Sequence, residues 1–192
     1  MEEPEVLEAK ENHDNREYFL KIVKEHPLLI EWADDNIKDD KEVILAAVRV
    51  NGGALEFASD RLKDDKDVII AAVTQTGWTG CYASPRLKAD REVILTAVKN
   101  DGQILYYASE ELRDDKELVL VAVEQKPIII KYASSRLRAD LDVAKIALTS
   151  AKAKYTTFAE EHYIDDTLFF IEPEIRDNEE LQKIIHPLDE ND

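Results

Sequence analysis

The sequence predicts an all-α protein, an α-solenoid of about seven two-helix repeats of 25 residues each. Three observations predict it. Asp40, Asp65, Asp90, Asp115 and Asp140 recur every 25 residues, with Asn15 one period earlier and Asp166 following Asp140 after 26. Apolar residues keep fixed offsets from that residue, and a glycine or proline interrupts each of the first five units at one place.

Taking the Asp or Asn as position zero, the first helix opens there, because its side chain can accept from free N–H groups of the first turn. Acidic residues two places on (Glu42, Asp67, Glu92, Glu117) suit the same end of the helix dipole. Positions three, four, seven and eight then form one apolar face. Position three is Val43, Val68, Val93, Leu118 or Val143; position seven is Ala47, Ala72, Ala97, Ala122 or Ala147. Position twelve is Pro27, Gly52, Gly77, Gly102 or Pro127, residue types that stop a helix and turn the chain. A shorter second helix is expected next, with apolar residues at fifteen, seventeen and eighteen, the last two being the pairs Trp32-Ala33, Phe57-Ala58, Tyr82-Ala83, Tyr107-Ala108 and Tyr132-Ala133. It is expected to stop near Ser59, Ser84, Ser109 and Ser134. Pro85 after Ser84 favours a fresh helical turn capped by the serine. In the sixth unit one extra residue moves the aromatic pair to Phe158-Ala159.

A unit this small cannot bury its own apolar face, and stacked neighbours can. The domain reading is residues 1–14 as an acidic N-terminal segment, 15–165 as six repeats, and 166–192 as a degenerate capping repeat with an acidic tail.

The units Asp40–Asp64 (DKEVILAAVRVNGGALEFASDRLKD) and Asp90–Asp114 (DREVILTAVKNDGQILYYASEELRD) resemble a repeat family known as domain of unknown function 4116. The resemblance spans about residues 15–165. It implies tandem helical repeats, of a kind found in proteins of protists, algae and some intracellular bacteria, candidate secreted effectors among them. It implies no activity and no site residues. Lys145, Lys152 and Lys154 depart from the motif in the sixth unit, and the seventh keeps little beyond Asp166, Phe169 and Phe170.

Charge and composition narrow the function. The formal net charge is −17, of which residues 1–14 carry −5 and residues 166–192 carry −7, leaving a nearly balanced body. Phosphate contacts need a basic surface, so nucleic acid is a disfavoured partner. No apolar run approaches the ~20 residues that span a bilayer. The acidic start Met1-Glu2-Glu3-Pro4-Glu5 lacks the pattern of a signal peptide. With Cys81 the only cysteine, a cytoplasmic setting (the protein's own cytosol or a host's) is expected.

Catalytic chemistry finds no convergent set of residues. The acidic doublets Asp39-Asp40, Asp64-Asp65 and Asp114-Asp115 lack the ligand spacing of a calcium loop, and helix capping accounts for the second Asp. His13, His26, His162 and His186 occupy unrelated repeat positions without metal-site spacing. Cys81 has no evident base and reads as a partly buried thiol. The series Tyr82, Tyr107, Tyr132 reads as core packing in preference to a base-stacking ladder. No catalytic residue, cofactor or metal is expected.

Positions thirteen and sixteen are where the units disagree. They run Leu28/Glu31, Gly53/Glu56, Trp78/Cys81, Gln103/Tyr106 and Ile128/Lys131. Large aromatic and amphipathic residues there point to a partner-binding stripe at Trp78, Gln103, Tyr106, Ile128 and Lys131; the other reading is irregular core filling. The expected function is a non-catalytic protein-interaction module, a scaffold, adaptor or assembly subunit. The alternatives are a secreted effector or inhibitor acting on a host protein, and a nucleic-acid-binding repeat. The acidic ends suit a basic segment on the partner.

Overall fold

The computed structural model describes residues 3–154 and 162–185, and among them it contains helices and turns without a strand. Two compact units divide the chain, Met1–Asn100 and Asp101–Asp192. Both are built from the same helical repeat.

In the first unit three repeats each have three helical pieces, and a fourth contributes its long helix. The long helices are α2 (Arg16–Ile22), α4 (Lys41–Val50), α6 (Lys66–Gln75) and α8 (Arg91–Asn100). Asp40 and Asp65 cap α4 and α6 as the sequence predicts, Asp40 accepting from Glu42 N at 2.9 Å and Val43 N at 3.1 Å. Positions three, four, seven and eight are fully buried in α4, α6 and α8. Successive long helices pack on one another, α4 on α6 and α6 on α8, so each repeat covers the apolar face of the one before it.

The second piece differs from the expected α-helix. Pro27–Trp32 (η1), Gly52–Phe57 (η2) and Gly77–Tyr82 (η3) are 3-10 helices of six residues. Their bonds span three residues, as from Ala54 N to Asn51 O at 3.0 Å and from Ala58 N to Leu55 O at 3.1 Å. The residue before η2 and η3, Asn51 at φ −143° and Thr76 at φ −146°, is extended and ends the long helix. Position twelve therefore needs no left-handed conformation, and no glycine in the chain has positive φ. The glycine is there for space: a Cβ on Gly52 would lie 2.4 Å from the carbonyl oxygen of Ala72 in the next repeat.

The third piece is a four-residue helix, α3 (Asp35–Lys38), α5 (Asp60–Lys63) or α7 (Pro85–Lys88). Ser59 and Ser84 cap the last two, accepting from Leu62 N and Leu87 N at 3.3 Å, and Leu62 and Leu87 are fully buried. The serine cap expected at Ser84 thus recurs in the neighbouring repeat. Residues 1–14 hold more than an acidic segment: α1 (Pro4–Glu11) packs on η1, burying Ala9 and setting the Lys10 ammonium 4.1 Å from the Trp32 ring centroid.

The second unit repeats the pattern with η4 (Gly102–Tyr107), α9 (Glu110–Arg113), α10 (Lys116–Gln125), η5 (Pro127–Tyr132), α11 (Ser135–Arg138) and α12 (Leu141–Lys154). A Cβ on Gly102 would sit 2.8 Å from the Ala122 carbonyl oxygen, the same close approach as at Gly52. At α12 the pattern changes. Ala151 and Lys152 replace the extended residue and the glycine, and the helix runs on to 14 residues. The departures at Lys145, Lys152 and Lys154 become terminating contacts. Lys154 Nζ donates to the carbonyls of Glu124 (2.7 Å) and Gln125, satisfying the free end of α10, while Lys152 donates to Ile184 O at 2.7 Å and Lys145 pairs with Glu180.

The chain closes with α13 (His162–Phe170), α14 (Pro173–Arg176) and α15 (Glu179–Ile185), of which α13 and α15 pack on α12. Asp166 lies inside α13, and the residue in the role of position zero is Asn178, whose side chain accepts from Glu180 N at 2.9 Å before α15. The pair Phe158-Ala159, His186 and the last acidic residues lie outside the described residues, as does the His162 side chain. Among the described residues no helix is long and apolar enough to cross a membrane.

Candidate interaction face on the 3-10 helices

With three residues per turn, side chains three apart eclipse one another, and each 3-10 helix has three distinct faces. Positions twelve, fifteen and eighteen form the core face; in η4 and after it these are Gly102, Leu105 and Ala108, all buried. Positions fourteen and seventeen form a second face, buried at its start (Ile104) and open at its end (Tyr107, 42% exposed). Positions thirteen and sixteen form the third, which points away from the core.

The five residues expected to form a stripe all sit on that third face. In the first unit Trp78 is 44% exposed, its ring 5.7 Å from that of Tyr82 on the same helix. In the second unit η4 packs against η5, which brings the other four onto neighbouring helices. Gln103 is exposed, and Tyr106 is 55% exposed with its ring centroid 4.9 Å from both Tyr107 and Tyr132. Ile128 is half-buried. Lys131 is half-buried with its ammonium 4.8 Å from the Tyr132 centroid and 5.9 Å from that of Phe170. Core filling therefore does not describe Trp78, Gln103 or Tyr106, and describes Ile128 and Lys131 only in part.

The tyrosine series corrects a second expectation. Tyr107 is exposed and Tyr82 and Tyr132 are half-buried, so core packing does not describe Tyr107 and describes the other two only in part. Position seventeen falls on the intermediate face, one step round from the core face that the alanine after it occupies. Cys81 is half-buried, and burial pushes its thiol pKa up, away from thiolate chemistry. Among the described residues no three His, Cys, Asp or Glu side chains are grouped to hold a metal ion.

Two recurring charge networks escape a reading by offsets alone. The first explains the leading Asp of each doublet. Asp39 accepts from the Ser59 hydroxyl and from Arg61 Nε at 3.0 Å, and Arg61 Nη2 donates to the Asp39 carbonyl at 2.6 Å. The set recurs at Asp64, Ser84 and Arg86, and in the second unit at Asp114, Ser134 and Arg136. A backbone bond runs beside each set, Ser59 N to Lys38 O, Ser84 N to Lys63 O and Ser134 N to Arg113 O, all at 3.0 Å. At the C-terminal end Glu172 takes the serine's place, donating its N–H to Arg138 O at 3.1 Å and accepting from the Arg138 guanidinium.

The second network runs along the starts of the long helices. Arg16 bridges Asp40 and Glu42 at 2.6 Å each; Lys41 bridges Asp65 and Asp67, and Lys66 bridges Asp90 and Glu92, at 2.8 Å. Lys116 does the same to Asp140 and Asp142 in the second unit. Asp40, Asp65, Asp90 and Asp140 are thus also the acceptors of a cation from the repeat before.

These contacts set the local acidity. Hydrogen bonds from the serine hydroxyl and then the arginine hold Asp39, Asp64 and Asp114 below the usual carboxylate range. Asp40 is lowered chiefly by Arg16 and Asp90 by Lys66. Partial burial opposes the shift at Asp65 and Asp140, yet Lys41 and Lys116 with the backbone N–H groups of the cap carry both below it. The lysines are raised by the same bonds.

A family model for a domain of unknown function, DUF4116, matches residues 15–63, 40–88, 90–138 and 115–152, in the register of the repeats described above. No curated protein and no solved structure matches the chain. Together the matched segments span more than half of the sequence, and the chain belongs to the DUF4116 family.

Proposed function

We propose that this chain is a non-catalytic protein-interaction module, a scaffold, adaptor or assembly subunit whose partner contacts the outward face of the 3-10 helices. The observation that carries the reading is the contrast between framework and face. The core positions of α4, α6, α8 and α10 repeat the same residue types from unit to unit, while Trp78 and Tyr106 stand 44% and 55% exposed at positions where the repeats differ. Large, stiff aromatic side chains in the open are poor surface residues and good binding anchors. Tyr106 is also held in place by its neighbours Tyr107 and Tyr132, so little conformational freedom is lost when a partner covers it.

Affinity capture from the native source with Trp78→Ala and Tyr106→Ala tests the proposal. The expected result is loss of a specific captured protein in one or both variants while the helical circular dichroism and the unfolding midpoint stay close to the parent. Capture by both variants as strong as by the parent contradicts it.

A further inference from the structure

At the N-terminal end of the first unit, α1 and η1 enclose a cleft with an apolar floor and an acidic rim. Val6, Leu28 and Trp32 supply the floor, and Leu28 is 47% exposed. Glu3, Glu25 and Glu31 supply the rim, all three exposed. The basic groups at hand are His26, which lines the cleft, and Lys10, whose ammonium lies 4.1 Å from the Trp32 centroid. Glu5, Glu8 and Glu11 on α1 add to the negative field. Leu28 and Glu31 occupy positions thirteen and sixteen of their repeat, so the cleft begins on the outward 3-10 face.

We infer that this cleft takes a basic, apolar-anchored segment of a partner protein, with one large aliphatic or aromatic side chain on Leu28 and Trp32 and flanking lysines or arginines on Glu3, Glu25 and Glu31. The inference extends the partner-binding reading above to a separate site with a stated partner chemistry. Charge complementarity selects the occupant: three carboxylates at the mouth repel an acidic segment and attract a cationic one. The exposed Leu28 selects for an apolar anchor, because a purely charged segment would leave that surface in water. The Trp32 ring already accepts one ammonium, from Lys10, and shows how its face accommodates a cation.

The two tryptophans, Trp32 and Trp78, make the test direct. The indole N–H resonances of the 192-residue chain are followed while three synthetic peptides are added. One carries a Leu-Phe pair between Lys/Arg flanks, one carries Gly-Ser between the same flanks, and one carries Leu-Phe between Asp/Glu flanks. The expected result is a saturable shift of the Trp32 indole and the Leu28 amide with the first peptide alone. Reversing the charge at Glu25 and Glu31 (Glu25→Lys with Glu31→Lys) should weaken that binding about tenfold or more without moving the unfolding midpoint. Equal binding of the Gly-Ser peptide, no shift at Trp32, or a concentration-dependent dimer that Leu28→Arg dissolves would each overturn the assignment. A peptide response confined to Trp78 would overturn the cleft while leaving the outward-face reading standing, and loss of partner capture in the Tyr106 variant bears on that reading alone.

Discussion

Arg86 reaches back to Asp64, donating from Nε to the carboxylate at 3.0 Å and from Nη2 to the Asp64 carbonyl oxygen at 2.6 Å. The two residues belong to successive repeats, and the same arginine neighbourhood holds the Ser84 hydroxyl on the same carboxylate. Asp64 is thus bound through side chain and backbone at once, beside the Ser84 N to Lys63 O bond that sets the register between repeats. Asp39 with Arg61 and Asp114 with Arg136 make the same set. The pairs are more than one-third exposed, so their weight lies in fixing geometry more than in Coulombic energy.

Acid should expose these contacts first. Asp39, Asp64 and Asp114 have folded pKa values below the ordinary 3.8, so their contribution is fully present above 3.8 and is lost as pH falls through the lowered values. Lys41, Lys66 and Lys116 are raised above 10.5, so theirs is present below 10.5 and is lost as pH rises through the raised values. Thermal unfolding against pH should show a plateau between these limits. Asn at all three aspartates should lower the plateau and flatten its acid side; an unchanged acid limb would assign it to other carboxylates.

At Gly52 and Gly102 glycine is a packing requirement of those repeats. In Gly52→Ala the new Cβ meets the Ala72 carbonyl oxygen at 2.4 Å, and backbone must move to relieve it. The expected loss is about 1–3 kcal/mol in urea unfolding. Gly53→Ala is the control: its nearest neighbours are Asn51 Oδ1 at 3.0 Å and Leu28 Cδ2 at 3.8 Å, both side-chain atoms, and it should cost less. Equal losses at the two positions would show that helix propensity and not space decides the residue.

Adjacent residues of η4 should behave in opposite ways. Leu105 is fully buried, and Leu105→Ala should cost about 2–5 kcal/mol. Tyr106→Ala removes ring contacts with Tyr107 and Tyr132 from an exposed site, and should cost about 1 kcal/mol or less. Denaturant titration of the two variants measures the contrast, and a Tyr106 loss as large as that of Leu105 would place the ring in the core.

Lys154→Met should loosen the C-terminal end of α10 specifically, because Nζ satisfies the Glu124 and Gln125 carbonyls. Amide exchange near residues 122–126 should accelerate while exchange in α4 and α6 stays as in the parent. Unchanged exchange there would show that water serves those carbonyls as well.

The period, the capping Asp and the buried offsets in the long helix were legible because each is a local property of residue type and spacing. Val43, Ile44, Ala47 and Val48 declare a helical face without reference to any other repeat. The 3-10 helix was not legible, because six residues are too few to separate a period of 3.0 from one of 3.6. Leu105 and Ala108 fit both. That ambiguity carried Tyr107 into the expected core, since only the tighter winding turns position seventeen off the core face. The clamp on Asp64 was hidden for another reason: its partners stand twenty or more residues away, and only three-dimensional stacking joins them. The sequence still bears a trace of it, since Ala89 holds the aspartate place where Glu111 holds the arginine place.

The winding of the 3-10 helices, with positions thirteen and sixteen turned outward, is the feature on which the functional proposal depends. Single cysteines at residues 103 to 107, placed one at a time in a Cys81→Ser background, test it through the rate of thiol labelling in the folded protein. Fast labelling at 103 and 106, intermediate or fast labelling at 107 and protection at 104 and 105 is the predicted pattern. Protection at 103 and 106, or labelling at 105 as fast as at 106, would contradict it.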